Sequence, residues 1–424
     1  MMTHPPFIKS LHIHKVRHLE NIEIPLDENR PRHLILTGPN GSGKTSVLLA
    51  VRDYLNGVPS QNLMKMAELQ RKVELTEQAI KNLKLQWESP NQSDQQRAQW
   101  IVEISACEQH IKTWKTVLSD FEKIEAVISD LPGAVDAYFQ GEFLIVFFDA
   151  KRTVKLDVVN GPQKLDIPQT SPITSGTLAA KFLQFLVNQE NKIGMFHYQG
   201  DNAKVAQLTQ WKHGFIERLR GLFQCPELEL EYDVETFNFK IHLPDREPFG
   251  LDQLSDGFSS AIQIVAELLL RMEARQTGRY DMPGVVLIDE IETHLHIELQ
   301  KQILPFLTDF FPHLQFIVTS HSPFVLNSLP DAVVFDLASG KRWENLAPLS
   351  AGSIIEDYFD SDQYSQVSKD LLARYQQLAA QNPRTPEQAE AYRQLIDQLD
   401  GVTLEQAPEL VAQYRHLRAR ERQG

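Results

Sequence analysis

The sequence predicts an α/β fold: mixed sheet lobes, split by a helical hairpin and followed by a helical tail. Three observations predict it. Apolar runs ending in chemically loaded residues recur along the chain, as in LILTGPNGSGKTSVLLA (34–50), VVLIDE (285–290) and FIVTSHSP (316–323). Between the first two of these, apolar residues spaced alternately by three and four mark two helical arms. From about Ile355 onward the chain is polar and carries helix-start signals.

Taken in order, FIKSLHIHKV (7–16) and LENIEIPL (19–26) alternate as strands do, HLILTG (33–38) is a buried strand, and a helix follows from about Thr45 to Leu55. Met66, Leu69, Val73, Thr76, Ile80, Leu83 and Trp87 form one narrow stripe. Trp100, Ile104, Cys107, Ile111, Trp114, Leu118 and Phe121 form a second, across the polar SPNQSDQQ (89–96). Two matched arms of roughly 25 residues make an antiparallel coiled-coil hairpin of about 35 to 40 Å; two ordinary amphipathic helices lying on the core are the alternative. FLIVFFDA (143–150) returns to sheet, TLAAKFLQFLV (177–187) and WKHGFIERLRGLF (211–223) are helical, and ELELEYDV (227–234) and FNFKIHL (237–243) are strands. Near the end, Thr385 with Gln388 and Thr403 with Gln406 each have the spacing of a capping box. The expected domains are a split head (1–60 and 130–355), the hairpin (61–129) and a C-terminal helical extension (356–424).

At 424 residues and 42% hydrophobic the chain can bury a large core. No apolar run approaches the roughly 18 to 20 residues of a membrane helix, and MMTHPPFIKS lacks a secretory apolar stretch, so a cytoplasmic location without a membrane partner is expected. Cys107 and Cys225 are far apart and form no CxxC pair, which gives no disulfide framework and no zinc site. A net charge of −14 opposes nonspecific wrapping of nucleic acid. The basic stretches KRTVK (151–155) and RHLRARER (415–422) read more readily as solvated faces than as nucleic-acid patches.

Gly38-Pro39-Asn40-Gly41-Ser42-Gly43-Lys44-Thr45 fits GxxxxGK[ST] between a strand and a helix. Its backbone N–H groups, with the helix start at Thr45 and Ser46, would cradle the phosphates of ATP; Lys44 would neutralise them, and the Thr45 hydroxyl would hold Mg²⁺. VVLIDE delivers Asp289 as a further magnesium ligand and Glu290 as the general base for an attacking water. His321, at the end of another apolar strand, suits a sensor of the γ-phosphate. LSDG places Ser255, Asp256 and Gly257 at a helix start, where serine and glycine are also common simply as caps.

These four elements, in this order and separated by a coiled-coil insertion, resemble the ABC-type ATPase heads of the SMC, RecF and OLD lineage, over roughly residues 7 to 345. The resemblance implies an ABC-type P-loop NTPase head in which Ser255, Asp256 and Gly257 act in trans, closing on nucleotide held by a second copy in a homodimer or higher homo-oligomer. One departure stands out: the glutamine expected after the first lobe's strand has no counterpart, since Asp149, Lys151 and Arg152 occupy that place and Gln140 is the nearest glutamine. Its role stays unassigned. GVVLIDEIETHLHIELQKQILPFLTDFFPHLQFIVTSHSPFVLNSL (284–329) is similar to the compact ATPases of bacterial anti-phage defence, most of all the Septu ATPases, retron-linked ones included, with the PARIS ATPases as neighbours. The resemblance implies an ATPase controlling a partner nuclease, HNH in the first case and Toprim in the second, with any DNA contact indirect. No Toprim-like acidic cluster follows the head, so no nuclease site is expected in this chain. The rival expectation is a RecF- or SMC-like repair ATPase that binds DNA directly.

Overall fold

Two half-buried strands begin the chain, β1 (Ile8–Val16) and β2 (Leu19–Pro25), paired antiparallel around Arg17 and His18. In the computed structural model, the described residues are 5–87, 93–119, 121–152, 155–168, 172–176, 178–276, 278–358, 366–381, 383–403 and 408–421. β3 (Leu34–Thr37) is buried at every position and runs through the glycine-rich turn into α1 (Lys44–Leu55). Two 26-residue helices follow, α2 (Asn62–Trp87) and α3 (Asp94–Ser119). The chain continues through β4 (Ile124–Ile128), α4 (Leu131–Phe139) and β5 (Leu144–Phe148). Helices α5 (Phe182–Gln199) and α6 (Asn202–Phe223) lead to an antiparallel sheet of β6 (Glu229–Asp233), β7 (Asn238–His242) and β8 (Phe249–Gly250). The last stretch of this unit holds α7 (Asp256–Arg275), β9 (Gly284–Ile288), α8 (Ile297–Phe310), β10 (Leu314–Thr319), α9 (Pro323–Leu326), β11 (Val333–Asp336) and β12 (Arg342–Glu344).

The central sheet has the order β12-β11-β3-β10-β9-β5. Every neighbouring pair is parallel except the edge pair β11–β12. β3, β5, β9, β10 and β11 are buried along their whole length, which is why each reads as a continuous apolar run and not as an alternation. Parallel pairing brings the C-terminal ends of β3, β9 and β10 to one edge, with β10 between the other two. The glycine-rich loop, Asp289-Glu290 and His321 all leave from that edge.

α2 and α3 lie antiparallel, tied by Lys84–Glu108 at 3.3 Å and Lys115–Glu77 at 2.7 Å. Val73, Ile80 and Leu118 are buried, and Met66, Leu69, Leu83, Trp100, Ile104, Cys107, Ile111 and Trp114 are half-buried, while most residues between them are exposed. The polar turn expected at 89–96 lies partly outside the described residues. Phe121 packs edge-on against Tyr54 of α1, 5.7 Å between centroids, and so belongs to the head core instead of the stripe that leads to it. β4 pairs with β1 in a separate three-stranded sheet of order β2-β1-β4, so residues 124–128 are already in sheet, a little before the expected return at 130. Asp130-Leu131-Pro132-Gly133 starts α4: Asp130 accepts a hydrogen bond from Gly133 N at 2.9 Å, and proline stands in the first turn.

Residues 351–424 form a second compact unit. It contains α10 (Ala351–Tyr358), α11 (Gln366–Ala379), α12 (Pro386–Asp400) and α13 (Pro408–Glu421). Leu372, Tyr375, Leu378, Leu395, Leu399, Leu410 and Tyr414 make its core, with Tyr375 stacked on Tyr392 and edge-on to Tyr414. The Thr385–Gln388 capping box is complete in both directions; the second expected box reaches residues 404–406, outside the described residues. No described helix is long and apolar enough to cross a membrane.

Candidate nucleotide site

The loop after β3 needs its glycines for two separate reasons. Gly38 has φ 133, and a Cβ there would come within 2.8 Å of Ser42 Oγ and 2.9 Å of Asp336 Oδ1. Gly43, at φ 99, lies against Leu19 of the β1–β2 hairpin, where a Cβ would meet Leu19 Cδ1 at 3.0 Å. Only glycine takes both conformations without strain or collision. Lys44 is 5% exposed and folds back onto the loop, its Nζ donating to Gly38 O at 2.9 Å and to Pro39 O at 3.2 Å. Burial lowers its pKa, while Glu290, Glu292, Asp289 and Asp336 act in the opposite sense. The ammonium is thus held by two carbonyls with carboxylates around it.

Thr45 lies in the first turn of α1, and its hydroxyl donates to Asp289 Oδ1 at 3.2 Å. The same carboxylate oxygen accepts from Thr319 Oγ1 at 2.6 Å, and Thr319 Oγ1 accepts from Glu290 N at 2.7 Å. One fully buried threonine on β10 therefore aligns both acids at the end of β9. Oxygen donors alone gather at Thr45 and Asp289, the chemistry that suits Mg²⁺. Glu290 sits at φ 44, a left-handed conformation costing a non-glycine residue roughly 1–2 kcal/mol. The hydrogen bond from its backbone N–H to Thr319 holds the turn in this conformation.

His321 follows β10. Its backbone N–H donates to Glu292 Oε1, and its ring meets the Gly38 carbonyl. Burial, then the Lys44 charge, lower its pKa, favouring a neutral imidazole. Gly38 to Ser46, Asp289, Glu290 and His321 thus converge on one edge of the sheet.

Ser255, Asp256 and Gly257 do not join them. Ser255 makes no capping bond, and Gly257 packs so closely that a Cβ would come 3.1 Å from both His294 O and Leu299 Cδ1. These residues line a cleft of about 480 Å³ with His294, His296 and Glu298, and no residue of the phosphate loop borders it.

Three contributors were missed in the sequence. Thr319 stands inside FIVTSHSP and Glu292 inside DEIETHLH, so both lay next to residues that were singled out. Arg152 was grouped with Lys151 and Lys155 as a basic face, yet it is 3% exposed and buried among backbone carbonyls, whereas its two neighbours are exposed.

The sheet order, the phosphate loop and the acids at the strand ends together define an ABC-type P-loop NTPase head. In sequence, residues 136–327 match a family described as "AAA domain, putative AbiEii toxin, Type IV TA system". The chain is similar to the Septu protein PtuA of Bacillus mycoides, 30% identical over 158 residues, or 35% of this chain and 22% of that protein. It is also similar to the Retron Ec83 probable ATPase of Escherichia coli, 35% identical over 95 residues, covering 22% of this chain and 18% of that one. The matches thus span about a fifth of the length of these curated relatives. Among solved structures, the SMC head domain from Thermotoga maritima overlaps 78% of this chain and 94% of its own, at 12% identity and a TM-score of 0.34.

Proposed function

We propose that this chain binds and slowly hydrolyses ATP as the head of a homo-oligomeric anti-phage defence ATPase that controls a separate nuclease subunit. The observation that carries the ATP reading is the convergence of Thr45, Asp289 and Glu290 through Thr319, beside a lysine already held over the phosphate loop. Lys44 would exchange its two carbonyl partners for phosphate oxygens. Mg²⁺, held through Thr45 and Asp289, would neutralise charge on the phosphates. Glu290, its backbone fixed, would take the proton of the attacking water, and neutral His321 would face the γ-phosphate. Ser255, Asp256 and Gly257 of a second copy would complete the site, a reading supported by their placement in a cleft apart from the phosphate loop.

The defence role is supported by the similarity to the Septu and retron proteins and rests on that similarity. The nuclease subunit is of the HNH kind that the Septu resemblance implies, docked on the hairpin or on residues 356–424. Glu290→Gln is the central test: it keeps the side chain's shape and removes its basicity. Phosphate release should fall by about 100- to 10,000-fold while ATP binding persists. An unchanged rate would remove Glu290 as the base. For the partner, co-expression with the adjacent gene and purification through this chain should retain a nuclease; free migration of the two proteins would overturn the partnership.

A further inference from the structure

Arg152 uses all of its donors. Nη1 donates to Asp289 O at 2.7 Å and to Asp149 O at 3.1 Å, and Nη2 donates to Glu290 O at 2.9 Å and to Ile291 O at 3.2 Å. Nε donates to Ser260 Oγ at 3.3 Å. A guanidinium has five N–H bonds in a fixed plane, and here each has an acceptor. Three of the acceptors are consecutive carbonyls of the turn that carries Asp289 and Glu290. The fifth is on α7, one helical turn beyond Gly257, and Ser260 is itself buried. Asp289, Glu290, Glu292 and Asp149 surround the charge, which offsets the cost of burying it.

We propose that Arg152 is a positioning residue that ties the acidic turn after β9 to the start of α7, so that a change at Glu290 is felt by the surface formed by Ser255, Asp256 and Gly257. The route is short and made of rigid parts. A turn held at φ 44 cannot relax without moving the carbonyls of Asp289, Glu290 and Ile291. Those carbonyls move the guanidinium, which has no spare donor, and the guanidinium is bonded to the first turns of a 20-residue helix. Gly257 gives a second contact between the same two parts, packed against His294 O and the Leu295 backbone. The segment after β5, where the resemblance implies a glutamine, thus sends a buried arginine into the site. The charge binds no nucleotide in this scheme: every donor is spent on protein.

This inference deepens the ATPase reading, and one arm of its test does not depend on that reading. In the nucleotide-free chain, hydrogen exchange should speed up by about tenfold or more in Arg152→Met at two places distant in sequence, the amides of Glu290 and Ile291 and those of Ser259 and Ser260. Ser260→Ala should accelerate only the second set. If Arg152→Met changes one set alone, or neither, the tie does not exist, whether or not the protein hydrolyses ATP. The second arm measures turnover. Arg152→Lys keeps the charge but loses the planar fork, and kcat should fall by about 100-fold with KM for ATP within about threefold of wild type. A wild-type kcat in Arg152→Lys overturns the positioning role. Failure of the wild-type chain itself to release phosphate would instead overturn the ATPase reading, leaving the exchange result to decide the tie.

Discussion

Thr319→Val tests the arrangement of the acids most directly, because valine has the volume of threonine and removes only the hydroxyl. Two interactions disappear: the 2.6 Å bond to the Asp289 carboxylate and the 2.7 Å bond accepted from Glu290 N. A hydrogen bond to a charged group contributes about 1.5–3 kcal/mol, and a buried N–H left without a partner costs about 1–3 kcal/mol. With no cavity formed, a loss of about 3–5 kcal/mol is expected. At roughly 2.1 cal/mol/K per residue, the unit spanning Met1–Ser350 unfolds with about 0.7 kcal/mol/K, so its thermal midpoint should drop by about 4–7 °C. Phosphate release should fall by about 100-fold as the two carboxylates lose their register. Thr319→Ser restores the hydroxyl and should recover most of both. The reasoning fails if the valine variant melts within about 1 °C of wild type and turns over ATP at the wild-type rate.

Two further predictions concern stability. His33 accepts a hydrogen bond from Phe316 N on Nδ1, and burial pushes its pKa down to about 4. Above the ordinary value near 6.5 both folded and unfolded chains carry neutral rings; below it the unfolded chain takes a proton that the folded one refuses, so stability is lost as pH falls from 6.5 to about 4. The loss is at most about 3 kcal/mol, read as a fall in the urea midpoint, and His33→Asn, which keeps an acceptor but cannot titrate, should flatten it. In the C-terminal unit, Thr385→Ala removes one arm of the capping box and should cost about 1 kcal/mol, seen as about fivefold faster exchange of amides in the first turn of α12.

What could be read in the sequence was whatever lies next to itself in the chain. A buried parallel strand is a continuous apolar run, and the residues that follow it are delivered to the sheet edge, so LILTGPNGSGKT, VVLIDE and FIVTSHSP announced both the strands and the polar residues gathered at their ends. The Thr385 cap was readable for the same reason, being a contact three residues long. Thr319 meets Asp289 across 30 residues, Arg152 meets Asp289 across 137, and only tertiary pairing decides these contacts. Arg152 was further obscured by its exposed neighbours Lys151 and Lys155, since one buried cation within a charged run has no periodicity to mark it. The return to sheet at Ile124 was hidden differently: the helical stripe runs straight into Phe121, which uses the same spacing to reach Tyr54.

The separation of Ser255, Asp256 and Gly257 from the phosphate loop has an energetic consequence for assembly. One chain offers ATP the loop, the acids and His321, while its α7 start borders a different cleft. If two copies complete each other's sites, nucleotide favours the pair only by the difference between its affinity for paired and unpaired heads. A tenfold difference at each of two sites strengthens pairing about 100-fold, or about 2.7 kcal/mol, enough to convert a weak pair into the dominant species at micromolar chain. Glu290→Gln is the form to use, because with its base removed it should retain ATP without consuming it. Sedimentation of that variant should show ATP-dependent pairing, and adding Ser255→Arg, an exposed change outside the loop, should abolish pairing while leaving ATP affinity for the single head intact. Pairing that ignores ATP, or that survives Ser255→Arg, would mean the cleft beside α7 serves something other than a second head.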